Sequence, residues 1–363
     1  MRDFPLTEAA GATDILVLGT GSFAARIAFD LAAVARQPTR VVIAGRNLAR
    51  LAWIRTAANA RGAIFATAAR FETHPVDLLQ GEATEGMLRR LRPAVVVQAA
   101  SVQPGSVIAA ARDRWAEIVA EGGLSASAVF QVALSARVAG AVRDVWPQAR
   151  LVNCCFPDVV NPMLAALGLP ITCGTGNVAI LANAFAGVAG RAVRVLSHYQ
   201  NLGLWRQAPA QRLGSVPRVW FGEDEVGDVL DRFRDVQLTA EPALDISGAA
   251  GVPLFLAMAH GQGWTGHVPG PFGLPGGYPV RWDGTALGLD LPVGLSKEAA
   301  VAWNVGFEVA NGIVLEGTRA RYTGRLHDVL QRHSPDLATG FDLTELGAAV
   351  AGMADLRDRL RGG

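Results

Sequence analysis

The first half of the chain alternates short uninterrupted apolar runs with longer segments of helical character. Asp14-Ile-Leu-Val-Leu18, Arg40-Val-Val-Ile-Ala44 and Ala94-Val-Val-Val-Gln98 read as strands buried on both faces, the signature of a parallel sheet. A weaker run at Ala63–Ala68 and another at Arg150–Cys154 complete five strands. Between them, Ser22–Ala35, Leu48–Ala60, Glu82–Leu91 and Ser125–Val145 read as helices. Strands alternating with helices predict right-handed crossovers and a doubly wound α/β sheet. After Cys154 the pattern mixes helices with hairpin signals, the clearest being Asp283-Gly284 between two short apolar runs. We therefore expect an α/β Rossmann domain over residues 1–156 and an α+β substrate domain over 157–363, ending in a helical extension.

The turn after the first strand carries candidate chemistry. It reads Gly19-Thr20-Gly21-Ser22-Phe23-Ala24, a G-x-G-x-x-A pattern between a strand and a helix. In that context Gly19 allows the tight turn and Gly21 lets a pyrophosphate approach the backbone. Ala24 lets helix and strand pack closely. The helix N-terminus offers free N–H groups and positive dipole to phosphate. These six residues are candidate dinucleotide ligands, and the other reading is a Gly-rich turn of an unrelated α/β fold. The second strand ends Gly45-Arg46-Asn47, with no carboxylate to bond a ribose hydroxyl. An Arg there pairs with a 2′-phosphate, so NADP(H) is preferred and NAD is the second choice. Asp77 is a candidate for the adenosine side. Ala99, Ala100 and Ser101, after the fourth strand, should pass the ribose and nicotinamide. Gly105–Gly123 reads as a lid or an ordinary connection.

Composition narrows the function classes. The 363 residues are 50% hydrophobic and 18% charged, with 33 basic against 32 acidic side chains. That balance offers no single-sign field for nucleic acid or an anionic membrane. Three cysteines, Cys154, Cys155 and Cys173, form neither a disulfide framework nor a zinc motif, which points to a reducing compartment. Met1–Thr13 has no apolar core of a signal peptide. A cytoplasmic protein with a small-molecule substrate is expected, without nucleic acid, membrane or metal.

The segment Cys155-Phe-Pro-Asp158-Val-Val-Asn161-Pro162 is followed by Gly168-Leu-Pro170 and Cys173-Gly-Thr-Gly176-Asn177. In order and spacing it resembles the lactate/malate dehydrogenase family, whereas Gly45-Arg46-Asn47 resembles the NADP-binding domain of saccharopine-dehydrogenase-like reductases. The resemblance covers about residues 14–312 and implies a homodimer. It also implies His198, at the end of the run Arg191–His198, as the acid/base, with Asp158 as its partner. His suits that role because its reference pKa is about 6.5. The family's substrate-clamping Arg after the Asp is replaced here by Asn161. That leaves Asn161, Arg206 and His260 as candidate substrate contacts. The expected activity is hydride transfer between NADP(H) and a carbonyl/hydroxy or imine/amine substrate. A saccharopine- or opine-type C–N oxidoreductase and a catalytically silent dinucleotide sensor are the alternatives.

Overall fold

The computed structural model describes residues 13–103, 108, 111–238 and 240–362. Six parallel strands form its central sheet: β1 (Ile15–Leu18), β2 (Thr39–Gly45), β3 (Ala69–Pro75), β4 (Val95–Gln98), β5 (Arg150–Asn153) and β6 (Cys173–Gly174). Their order is β3-β2-β1-β4-β5-β6, so the winding reverses between β1 and β4. Every residue of β1 is fully buried, because helices cover both faces of the sheet. Alternate strand residues serve opposite cores. Leu16, Leu18, Val42 and Val96 point to one cluster, and Ile15, Val17, Val41 and Val97 to the other.

The third strand differs from its expected position. Ala63 and Ile64 end the second helix, Leu48–Ile64, and the strand begins at Ala69. As the outer strand of the sheet it alternates buried and exposed residues in its first half, so it lacks the continuous apolar run of its neighbours. The sixth strand, β6, extends the sheet past the expected 156/157 boundary by way of the helix Pro157–Ala166.

Three small antiparallel sheets follow. The first joins β7 (Arg194–Leu196), β8 (Arg218–Phe221) and β9 (Asp224–Glu225), and the second joins β10 (Trp264–Pro269), β11 (Gly277–Trp282) and β12 (Leu287–Leu289). The Asp283-Gly284 turn connects β11 to β12, as the sequence predicts, with three Asp283 Oδ1 contacts closing it. The third joins β13 (Ile313–Glu316), β14 (Arg319–Tyr322) and β15 (Phe341–Asp342).

The second half shares its cores with the first. Residues of β10, β11 and the helix Val252–His260 pack on one face of the parallel sheet, in the cluster of Ile15 and Val41. Ile313, Tyr322, Leu326, Leu330 and Leu356 pack on the other face, with Trp115, Ile118 and Phe130. This last group clamps the helix Arg114–Gly122 from outside: Arg332 pairs with Glu121 at 2.6 Å and Arg361 with Asp113 at 2.9 Å. The run Leu124–Val145 is long and apolar enough to cross a membrane, yet 78% of its most apolar stretch is buried inside the fold as a core helix.

Candidate active site

The first helix, Ser22–Val34, begins at Gly21 with no side chain capping it and no acidic residue in its first turn. Its first N–H groups are therefore available to a ligand. Gly19 has φ +126°, and a side chain there would meet the backbone of Ala99 and Ala100 at 3.1 Å. A side chain at Gly21 would meet nothing within 4 Å. The two glycines thus have different jobs: one lets β1 and β4 close on each other, and the other leaves open space at the helix end.

That space opens on a cavity of about 810 Å³. It lies at the carboxyl ends of the strands, at the β1/β4 reversal, where open α/β sheets bind ligands. Ser22, Phe23, Ala99 and Ser101 line it from the fingerprint side, and Cys154, Cys155, Thr175 and Asn177 from the β5/β6 side. The helix Arg114–Gly122 supplies Ala116, Glu117 and Val119 as a wall, with Arg112 just before it. This is the described part of the expected lid; residues 104–107 and 109–110 lie outside the described residues. Arg206 also lines the cavity.

On the adenosine side, Asn47 caps the second helix through a 3.0 Å bond from Arg50 N–H. Arg46 is largely exposed and stands 4.0 Å from Asp77, whose other duty is a turn bond from Leu79 N–H. Arg50 reaches back to the Thr20 carbonyl at 3.4 Å, over the fingerprint turn.

Three expected site features are corrected. His198 and Asp158 do not hydrogen-bond each other. The His198 ring is fully buried, with Nε2 2.8 Å from Glu308 Oε1 and Nδ1 accepting from Gln200 N–H at 3.4 Å. It stacks on Phe307 with an 11° interplanar angle and does not line the cavity. The carboxylate partner expected from Asp158 is supplied instead by Glu308, on a helix 110 residues downstream. Asn161 is likewise fully buried, accepting from Asn153 Nδ2 and donating to the Gly270 carbonyl, so it braces the core instead of meeting substrate. His260 bonds Thr39 Oγ1 at 3.0 Å, at the amino end of β2 and the wrong edge of the sheet for the cavity.

Asp158 is also fully buried. Its Oδ2 accepts from Asn177 Nδ2, and its Oδ1 has no partner among the described residues. Burial pushes its carboxyl up to about 6, while the His198 ring and the Asn177 bond partly offset the rise. Because the folded-state value lies above the ordinary 3.8, the proton stabilises the fold. This contribution is fully present below pH 3.8 and is lost as pH rises through about 6. The displacement corresponds to about 3 kcal/mol. Asp158→Asn should therefore flatten stability between pH 4 and 7, as read by urea unfolding at stepped pH. An unchanged pH dependence in the variant would refute this assignment.

Sequence reasoning passed over Asn177 as a site residue. It follows Gly176, has φ +41° and ψ −99°, and is the N-cap of the helix Val178–Ala189. For a residue with a Cβ this is a strained conformation, costing about 1–3 kcal/mol. Phe156, at φ +51°, is a second such residue on the cavity wall. The positive φ of Asn177 arises where its side chain reaches Asp158, 19 residues away, a contact with no local pattern to announce it. Cys154, half-buried, and the buried Cys155 line the cavity; desolvation raises both thiols, Cys155 to about 12, and neither is an activated nucleophile.

No family model matches the sequence, and no curated protein is found to be similar to it. Similar solved structures exist. The apo malate dehydrogenase of Picrophilus torridus is 12% identical, with a TM-score of 0.54, covering 82% of this chain and 95% of that one. The lactate dehydrogenase of Cryptosporidium parvum, complexed with lactic acid and nicotinamide adenine dinucleotide, is 15% identical, with a TM-score of 0.49 over 82% of this chain and 96% of that one. The lactate dehydrogenase of Eimeria maxima, with NADH and oxamate, is 13% identical, with a TM-score of 0.48 over 84% and 94%. At these identities the likeness is one of fold, and it rests on the first of the three. The chain has a lactate/malate dehydrogenase-like α/β fold.

Proposed function

We propose that the protein is a nicotinamide-dinucleotide-dependent oxidoreductase acting on a small molecule, with NADP(H) as its preferred coenzyme. The uncapped helix end at Gly21, facing an 810 Å³ cavity at the sheet's switch point, carries this reading. Proteins of this fold include the lactate and malate dehydrogenases above. When bound, the nicotinamide supplies or accepts a hydride. The chain's own residues do the rest. Backbone N–H groups of Ser22 and Phe23 hold the diphosphate, and Ala99 and Ser101 border the ribose. The apolar wall excludes water around the reacting atoms. His198 and Asp158 lie behind the wall and are not assigned the proton transfer in this reading, since both are buried and neither lines the cavity.

The NADP(H) preference rests on Arg46, whose exposed guanidinium is free to turn from Asp77 toward a 2′-phosphate. Asp77 favours the opposite choice, since a carboxylate beside Arg46 suits unphosphorylated ribose hydroxyls. Fluorescence titration decides between them. NADPH should bind more tightly than NADH, and Arg46→Ala should weaken NADPH about tenfold, the worth of a charge-assisted pair, with NADH unchanged. Tighter NADH in the parent protein would assign the site to NAD and Asp77.

A further inference from the structure

Asn177 holds a strained backbone conformation while bonding the buried Asp158, and its geometry has a specific consequence. Asp158 is a buried acceptor, so the Asn177 carboxamide must turn its nitrogen toward it. One N–H is thereby used. The second N–H and Oδ1 have no partner among the described residues, and Asn177 lines the cavity. Beside it the buried Thr175 hydroxyl, also on the wall, has no partner either. The β5/β6 side thus offers a fixed donor–acceptor pair with an unpaired hydroxyl next to it.

We infer that Asn177 is the residue that orients the nicotinamide, its carboxamide pairing with the primary carboxamide of the coenzyme. A primary carboxamide presents one donor and one acceptor side by side, the complement of what Asn177 leaves free. The position agrees with this. The fingerprint turn would hold the diphosphate at the β1 side of the switch point, which would leave the β4, β5 and β6 side, with Asn177, to the nicotinamide half. Asp158 is a positioning residue here: it locks the amide so that the ring's reacting face is set before substrate arrives. The inference rests on the dinucleotide reading above and adds to it a residue that determines ring orientation.

The test needs no substrate. NADPH, its 3-acetylpyridine analogue and 2′,5′-ADP are titrated against the parent protein and Asn177→Ala. The analogue replaces the carboxamide with a methyl ketone and so loses the N–H donor, whereas 2′,5′-ADP lacks the nicotinamide half. The parent protein should prefer NADPH over the analogue about tenfold, and the variant should lose that preference. Binding of 2′,5′-ADP should be equal in both, which also reports that the variant is folded. If the variant does not fold, the parent's preference for the carboxamide decides alone. Equal affinity of the parent protein for NADPH and the analogue overturns the inference, as does a preference that survives in Asn177→Ala. If the parent binds NADH but none of the three, the same comparison is made with NADH, its 3-acetylpyridine analogue and ADP; failure to bind NADH as well sinks the dinucleotide reading itself, and the inference with it.

Discussion

Replacing His198 with Ala should lower the unfolding free energy by about 3–5 kcal/mol, the combined cost of a buried carboxylate left without its partner and of the cavity the ring leaves. The ring is fully enclosed, and its loss strands Glu308 Oε1 in a site where that carboxylate is only 6% exposed. Glu308 keeps one bond, from Ile313 N–H at 2.6 Å, but its second oxygen then has neither water nor donor. The loss also opens a space between Phe307 and Tyr199, which contact the two sides of the imidazole. Urea denaturation followed by tryptophan fluorescence measures the effect. A variant within about 1 kcal/mol of the parent would mean that the imidazole is not a structural pillar.

Gly21→Val should do the reverse: abolish coenzyme binding while leaving stability nearly untouched. The position has φ −72° and ψ 176°, an extended conformation that Val adopts readily. A Cβ there meets nothing within 4 Å, so the branch point of the new side chain displaces no protein atom. The branched side chain instead fills the space in which a diphosphate would touch the helix end. The expected loss of NADPH affinity is at least about a hundredfold, or roughly 3 kcal/mol, with the melting temperature essentially unchanged. Gly19 provides the contrast. A side chain there would press on Ala99 and Ala100 and require a left-handed backbone, so its substitution damages folding and binding together. Retained NADPH affinity in Gly21→Val would place the ligand elsewhere.

The parts of the fold visible in the sequence are those dictated by local burial. β1, β2 and β4 are enclosed on both faces, so Ile15–Leu18, Val41–Ala44 and Val95–Val97 are apolar without interruption. The fingerprint turn was readable because glycine alone satisfies φ +126° against a neighbouring strand. The Asp283-Gly284 hairpin and the Ser296 cap, which accepts from Ala299 N–H at 3.1 Å, are likewise local chemistry. β3 was misplaced because an edge strand carries polar residues on its open side. The site was less legible, because its contacts are long-range. Nothing near His198 announces Glu308, and nothing near Asn177 announces Asp158. A polar residue in a loop-to-helix junction looks the same in sequence whether it faces a cavity or, as with Asn161, a buried carbonyl.

The clamp on the helix Arg114–Gly122 bears on how the molecule is made. Leu326 lies 3.1 Å from where a side chain on Gly122 would sit, and Arg332 and Arg361 grip Glu121 and Asp113 from outside. During synthesis the nucleotide-fingerprint half leaves the ribosome long before these residues exist. The wall of the ligand chamber is thus braced by partners 211 and 248 residues further along the chain, and that support does not exist until they have been made.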